Sequence, residues 1–434
     1  MNPYVDLLRR NRNFRLLFVG QAVSQLGDWF NSVAVLALLL DLTGSATAVA
    51  WMMIVQFLPV AFIGPLAGVV VDRVDRRKVM IAADVMRGVL VLGLLAIRRA
   101  DQVWMAYAVM SLTVAASAFF EPARTATIPN VTSADELLPA NALSSATWSA
   151  MLAIGASVGG IVTALAGRDV AFVLNALSFF ASAACLARTT YDSTPEPKAG
   201  PAGLAAFTGA ADLAEGFRYV RGHARVAALI FVKTGWSLAG GVLLLLSVFG
   251  QRVFPIGGNT AAGIGVLYSA RGVGAGLGPV ALRWILGQDP KTLRRSIGPA
   301  FLFAGASYMA LGGAPNLAWA SLAVMCAHFG GSILWVFSTV LLQMEVPNEL
   351  RGRVFAVELA SMTLMLSISS YWTGYALEYG GTTPRAAAVL LGAAFAAPGA
   401  LWFLVERRWQ EAPPSAAPNP APSGEEESVE GRIG

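Results

Sequence analysis

The stretch ATAVAWMMIVQFLPVAFIGPLAGVVVDRVDRRK, residues 46–78, runs without a charge from Ala46 to Val71 and then carries Asp72, Arg73, Asp75, Arg76, Arg77 and Lys78 in quick succession. A helix crossing the hydrocarbon core of a bilayer needs about 20 apolar residues. The segment is long enough to cross, and the charged cluster stops it at a membrane surface. Arginine and lysine collect on the cytoplasmic side of membrane proteins, so the cluster also orients the crossing.

The same reading extends outward in both directions. Of the 434 residues, 56% are hydrophobic and 13% charged, whereas soluble domains carry roughly 25% charged residues. A water-soluble core cannot absorb that much apolar chain. Run length and turn punctuation place spanning helices at 16–40, 46–71, 79–97, 103–120, 141–166 and 169–188, then at 228–249, 262–285, 296–313, 316–342, 354–375 and 385–406. The expectation is an all-α integral membrane protein of about twelve transmembrane helices. Short matches divide it in two: Gly64-Pro65 and Gly278-Pro279 each end a second helix, and Pro129-Asn130 and Pro347-Asn348 each follow a fourth. An N-terminal bundle over 1–188 and a C-terminal bundle over 228–406 follow. A cytoplasmic linker, 189–227, joins them through an amphipathic helix with Leu213, Phe217 and Val220 on one face. The tail, 407–434, is rich in Pro, Ala, Ser and Glu and is expected to be disordered.

The net charge of +5 has a topological explanation. Arg9, Arg10, Arg12 and Arg15 precede the first helix, and Arg124, Arg351 and Arg353 join the 73–78 cluster in loops on one side, which puts both termini in the cytoplasm. No basic face interleaved with aromatics suggests nucleic acid. Cys185 and Cys326 fall in apolar segments and read as reduced small hydrophobes. None of the lysines at 78, 198, 233 and 291 follows glycine in a phosphate-cradling pattern, which argues against ATP drive. His223 and His328 belong to no catalytic or metal constellation, so neither an enzyme nor a cofactor is expected.

A charge at mid-membrane costs at least ~2.5–3.5 kcal/mol on insertion scales, so each one needs a reason. In the first helix, Gln21, Ser24, Gln25, Asp28, Asn31 and Ser32 form a polar stripe with Asp28 near mid-depth, a candidate site for a proton or a cationic substrate. Asp84 and Arg87, three residues apart, read as a structural ion pair. Lys233 and Glu358, in the expected first turns of the seventh and eleventh helices, would snorkel to the interface as gate residues. Arg271, central in the eighth helix, has no carboxylate three or four residues away. It calls for a partner on another helix, Asp28 by depth, or an anionic ligand. Ser321, Met325, His328, Ser332, Trp335 and Thr339 make a second stripe. Met325, Trp335, Met362, Met365 and Trp372 offer a polarizable lining for a bulky ligand.

The Gly68-to-Asp72 spacing, followed by Arg73, Arg76 and Arg77, resembles the signature loop of the major facilitator superfamily, with Asp75 where that family usually has a second glycine. Phe119-Phe120-Glu121-Pro122-Ala123-Arg124, Ile128-Pro129-Asn130, Ala140-Asn141-Ala142-Leu143, Glu215-Gly216-Phe217-Arg218-Tyr219 and Arg351-Gly352-Arg353-Val354 resemble its enterobactin-exporter and macrolide-efflux branch. The resemblance implies two pseudo-symmetric six-helix bundles and a proton-coupled antiporter in the bacterial inner membrane. Its cargo would be a siderophore or an amphipathic drug, as in multidrug resistance. The second, fifth and eighth helices would line the boundary between halves. There Gly64/Gly68, Gly155/Gly159, Gly272/Gly276 and Gly274/Gly278 permit close backbone approach. The tenth-helix stripe would face the first helix across a cavity. The Gly68–Lys78 loop would act as a clasp in which Gly68 admits a neighbouring helix and Asp72 meets an opposing helix N-terminus. Expected partners are the lipid bilayer, the proton gradient and a small molecule, with no nucleic acid and a monomeric protein. Readings from other classes are an importer of a small metabolite and a transport-inactive receptor or assembly protein.

Overall fold

In hydrocarbon every backbone N–H and C=O must be paired within its own segment, so each apolar run folds as a helix. The computed structural model describes residues 3–71, 73–191, 210–286 and 289–411; Asp72, the first part of the linker and the tail beyond 411 lie outside the described residues. The long helices are α1 (Arg12–Thr43), α2 (Ala46–Val71), α3 (Arg76–Leu92), α4 (Val103–Val131), α5 (Ala134–Ala166) and α6 (Arg168–Ala187). Those of the second half are α7 (Ala224–Val253, interrupted), α8 (Thr260–Leu286), α9 (Pro290–Gly312), α10 (Leu317–Glu345), α11 (Asn348–Glu378) and α12 (Pro384–Glu411). Among the described residues nine helices are apolar enough to cross a membrane by composition alone. With α5, α8 and α9 the described chain forms twelve long helices. Ala210–Gly222 forms a helix in the linker, with Leu213 and Phe217 exposed and Val220 packed against the core.

Several boundaries differ from those expected. α4 runs to Val131 through Pro122 and Pro129, and Asn11 closes its end by donating from Nδ2 to the Val131 carbonyl at 2.6 Å. α5 starts at Ala134, where Glu136 accepts from the Ser133 N–H at 3.2 Å. Apolar run length cannot register helix that continues past the hydrocarbon, and Arg124 therefore belongs to α4 and not to a loop. α7 breaks after Ser237 and resumes at Val242. Ser369 of α11 bridges the break, accepting from the Gly241 N–H at 3.1 Å and donating to the Leu238 carbonyl at 2.6 Å.

The packing repeats with a six-helix shift. In the first half α1 packs on α5, α2 on α4, and α3 on α4 and α6. In the second α7 packs on α11, α8 on α10, and α9 on α10 and α12. The principal contacts between halves, α5 with α8 and α2 with α11, exchange under the same shift, as a pseudo-two-fold axis requires.

Those crossings and the hydrogen bonds between halves among the described residues gather toward one end of the molecule. A Cβ on Gly160 would stand 2.9 Å from the Gly265 Cα, Gly272 lies against the Ala153 backbone, and a Cβ on Gly374 would meet Ala50 at 2.7 Å. At the end away from the termini, Glu378 accepts from the Ser45 hydroxyl and, at 2.9 Å, from the Thr47 N–H, so α11 caps the N-terminus of α2. Thr260 donates to Asp41 at 2.8 Å, Asn259 to the Ala164 carbonyl at 3.2 Å and Arg252 to the Gly44 carbonyl. Trp51 meets Tyr371 edge to face across the same seam. At the end bearing the termini, by contrast, open space adjoins Gly64, Gly68 and Gly352. The close approach expected at Gly68 is therefore not made in this conformation. Gly155 and Gly159 pack on Trp29 and Phe30 of their own half, and Gly274 and Gly278 on α10.

A carboxylate at a helix N-terminus contributes about 0.3–1 kcal/mol, so Glu378→Gln is predicted to loosen the end away from the termini. Thr163→Cys, introduced with Cys185 and Cys326 replaced by serine, probes the seam beside Asp41 and Thr260. Adding Glu378→Gln to it should raise labelling by a membrane-impermeant maleimide several-fold; unchanged labelling would mean that the cap does not hold the halves together.

Candidate functional site

Gln21 and Gln25 of α1, Glu121, Arg124, Thr125 and Ile128 of α4, and Asn141, Ser144 and Trp148 of α5 line a cavity of about 410 Å³. Its wall is knit by Gln21, which donates to the Ser144 carbonyl at 3.4 Å and accepts from Arg124 at 3.1 Å. Arg124 in turn holds Glu121 at 2.8 Å. Gln25 Oε1 is buried without a partner. One turn further along α1, Asp28 is half-buried and makes no side-chain hydrogen bond or ion pair with the described residues. It lies within electrostatic reach of Arg87, Asp84 and Glu121. Not all of the expected stripe reaches this wall. Asn31 is buried, donating to Met110 Sδ at 3.3 Å, and the Ser24 hydroxyl turns back to the Gln21 carbonyl.

Behind Asp28, Asp84 and Arg87 form the expected ion pair, fully buried. The guanidinium lies between the rings of Phe120 and Phe179, at 4.5 and 4.3 Å, and donates to Ser117 at 3.3 Å.

The second half holds the remaining intramembrane charges. Lys233 and Glu358 meet at 2.8 Å with side chains only 6% and 5% exposed, which corrects the expectation that they snorkel. α7 starts at Ala224 and α11 at Asn348, so at 1.5 Å per residue both groups sit about 14–15 Å inside their helices. Trp335 covers the ammonium at 4.7 Å and stands edge-on to Trp236. His328 is buried and shares a 2.9 Å hydrogen bond with the Tyr308 hydroxyl, inside the second half and away from the cavity around Gln21. Arg271 is 9% exposed and has no carboxylate at ion-pair distance among the described residues. Its expected pairing with Asp28 is not made: Arg271 lies against the rings of Trp29 and Tyr268, while Asp28 answers to α3 and α4.

The five lining candidates disperse. Met325 offers its backbone to Gly274, and Met362 is buried. Met365 and Trp372 line a separate crevice of about 300 Å³ with Leu238 and Leu391, between α7, α11 and α12. Of the clasp residues, Asp72 is not among the described positions. Arg76 donates to the Ala126 carbonyl and Asn130, both at 3.0 Å, and Arg77 to the Leu186 and Ala187 carbonyls. These arginines cap the ends of α4 and α6, where the helix dipole favours a cation. Arg73 is exposed, and Asp75 caps α3 by accepting from the Lys78 N–H at 3.2 Å.

Glu121, Arg124, Trp29, Trp148 and Tyr268 were not singled out as site residues by sequence. Glu121 and Arg124 carried a signal in their three-residue spacing, hidden once α4 was expected to end at 120.

The family model of the Major Facilitator Superfamily matches residues 17–370, and the chain belongs to that superfamily. It is 26% identical over 401 residues to the MFS-type transporter YfiS of Bacillus subtilis, covering 86% of this chain and 90% of that one. Over 364 residues it is 25% identical to BacE, a Bacillus subtilis protein named for bacilysin export, with 82% and 87% covered. Macrolide efflux protein A of Streptococcus pyogenes is 25% identical over 360 residues, with the same coverage. A solved peptide transporter POT in complex with sulfate shares the fold at a TM-score of 0.71 and 13% identity, over 92% of this chain and 95% of that one. The chain is thus a multi-pass membrane transporter, and two of these relatives, BacE and macrolide efflux protein A, are named for export.

Removing one member of a buried ion pair strands the other at a cost of about 3–5 kcal/mol. Lys233→Met should therefore lower the thermal unfolding midpoint in detergent markedly, and Lys233→Met with Glu358→Leu should recover most of it. A single variant as stable as the parent would show that water reaches the pair.

Proposed function

We propose that the chain exports an amphipathic small molecule, a siderophore or a drug-like compound, across the bacterial inner membrane by proton-driven alternating access. The observation that carries this reading is Asp28, a carboxylate without a partner among the described residues, one turn beyond the Gln21–Gln25 wall of a polar cavity. Intramembrane carboxylates of this kind mark proton relays. Gain or loss of one proton there changes the buried charge of the first half by one unit. That is enough to bias two arrangements separated by a few kcal/mol.

The basic loops argue for cytoplasmic termini, so the end away from the inter-half hydrogen bonds faces the cytoplasm, the side from which an exporter loads. The cavity of about 410 Å³ falls within the range of roughly 300–1,000 Å³ common for small-molecule sites. Export is supported by relatives named for macrolide efflux and bacilysin export. In the complementary state the cytoplasmic ends meet, and Gly64 and Gly68 supply a flat face for α11 beside the basic loop.

In inside-out vesicles carrying an imposed pH gradient, the parent chain should accumulate a radiolabelled macrolide. Asp28→Asn should insert at the same level and lose uphill accumulation. Full accumulation by that variant would remove Asp28 from the coupling step.

A further inference from the structure

Apart from Asp28, the buried charges elsewhere in the described helices have partners. Arg87 has Asp84, Lys233 has Glu358, and Glu406 has Arg294 at 2.7 Å. Arg271 breaks the pattern. Its Nε is sealed from solvent without an acceptor, and no described residue accepts a hydrogen bond from its terminal nitrogens. A guanidinium cannot escape by losing its proton. The ring faces of Trp29 and Tyr268, at 5.8 and 5.6 Å, lie near the limit of cation–π range and offset only part of the desolvation. The nearby hydroxyls bond elsewhere and not to Arg271: Tyr268 donates to the Leu243 carbonyl at 2.8 Å, and Tyr308 shares a hydrogen bond with His328. Among the described residues, then, no acceptor is hydrogen-bonded to Arg271.

We propose that Arg271 is the recognition point for an organic carboxylate on the transported molecule, received between Trp29 and Tyr268 at the junction of α1, α5 and α8. The planar fork of arginine matches the two oxygens of a carboxylate. The flanking rings suit an apolar body attached to that carboxylate better than a hydrated inorganic oxyanion. In this proposal the ligand enters past Trp29, which stands edge-on at 6.4 Å to Trp148, a residue of the cavity wall. The neighbouring residue, Gly272, makes the close crossing with Ala153 of the other half. Ligand charge is therefore neutralised at the surface where the halves meet, which ties loading to their relative position.

This assignment rests on the exporter reading only in taking the ligand to be cargo; binding at equilibrium requires no gradient. The test uses the purified full-length chain in detergent with dansylglycine and its neutral amide, read by energy transfer from tryptophan. The acid should bind at least about tenfold more tightly than the amide, as expected for hydrogen bonds to a charged group. Arg271→Gln should reduce that preference to about twofold or less. Arg271→Lys, which keeps the charge and guards against a folding defect, should do the same because lysine lacks the fork. Equal binding of acid and amide, binding of neither, or a preference that survives Arg271→Lys overturns the proposal. A preserved acid preference alongside gradient-driven accumulation by Asp28→Asn would overturn the coupling role and leave this site standing.

Discussion

A charge in hydrocarbon must find a counter-charge, and the architecture follows from where it does. Lys233–Glu358 ties α7 to α11, and Arg294–Glu406 ties α9 to α12. In the first half Arg76 and Arg77 fasten the start of α3 to the ends of α4 and α6, while Asn11 joins the start of α1 to α4 and α5. Every one of these contacts lies within one half. Across the seam there are glycine crossings, a helix cap from Glu378 and a few hydrogen bonds to carbonyls. Charge pairs confined within each half leave the halves free to move as units in the rocking proposed above.

Against that background the two membrane-embedded charges without a partner among the described residues acquire meaning, because each half keeps one. Asp28 stands in the first half beside a polar cavity, and Arg271 in the second beside an aromatic partition. A proton on the first and an anionic group on the second change the charge balance on opposite sides of the seam. In the proposed cycle, the two ligands thus act on the rigid-body equilibrium through electrostatics, with no refolding of either half.

The fold was legible because run length and backbone hydrogen bonding leave helices as the solution for segments such as 46–71. Helix ends were less legible, since polar extensions past the membrane carry no hydropathy signal; that is why Arg124 was assigned to a loop, and Lys233 and Glu358 to first turns. Lone intramembrane charges stood out in sequence, but their partners did not. Depth along a helix follows from residue number, whereas azimuth depends on packing, so Asp28 and Arg271 matched in depth yet answer to different neighbours. Azimuth also separates Met365 and Trp372 from the cavity: both suit a bulky ligand by composition, but their crevice lies between α7, α11 and α12.

The central claim is that two rigid halves rock about this seam, closing one end as the other opens. Paired spin-label distances test it directly, with one pair at Gly68 and Gly352 toward the termini and another at Leu165 and Ile256 at the end held by the inter-half hydrogen bonds. The resting protein should give a long first distance and a short second. Adding a transported compound should raise a population in which the first shortens and the second lengthens in proportion. Two fixed distances, or distances that change in the same sense, would contradict the account.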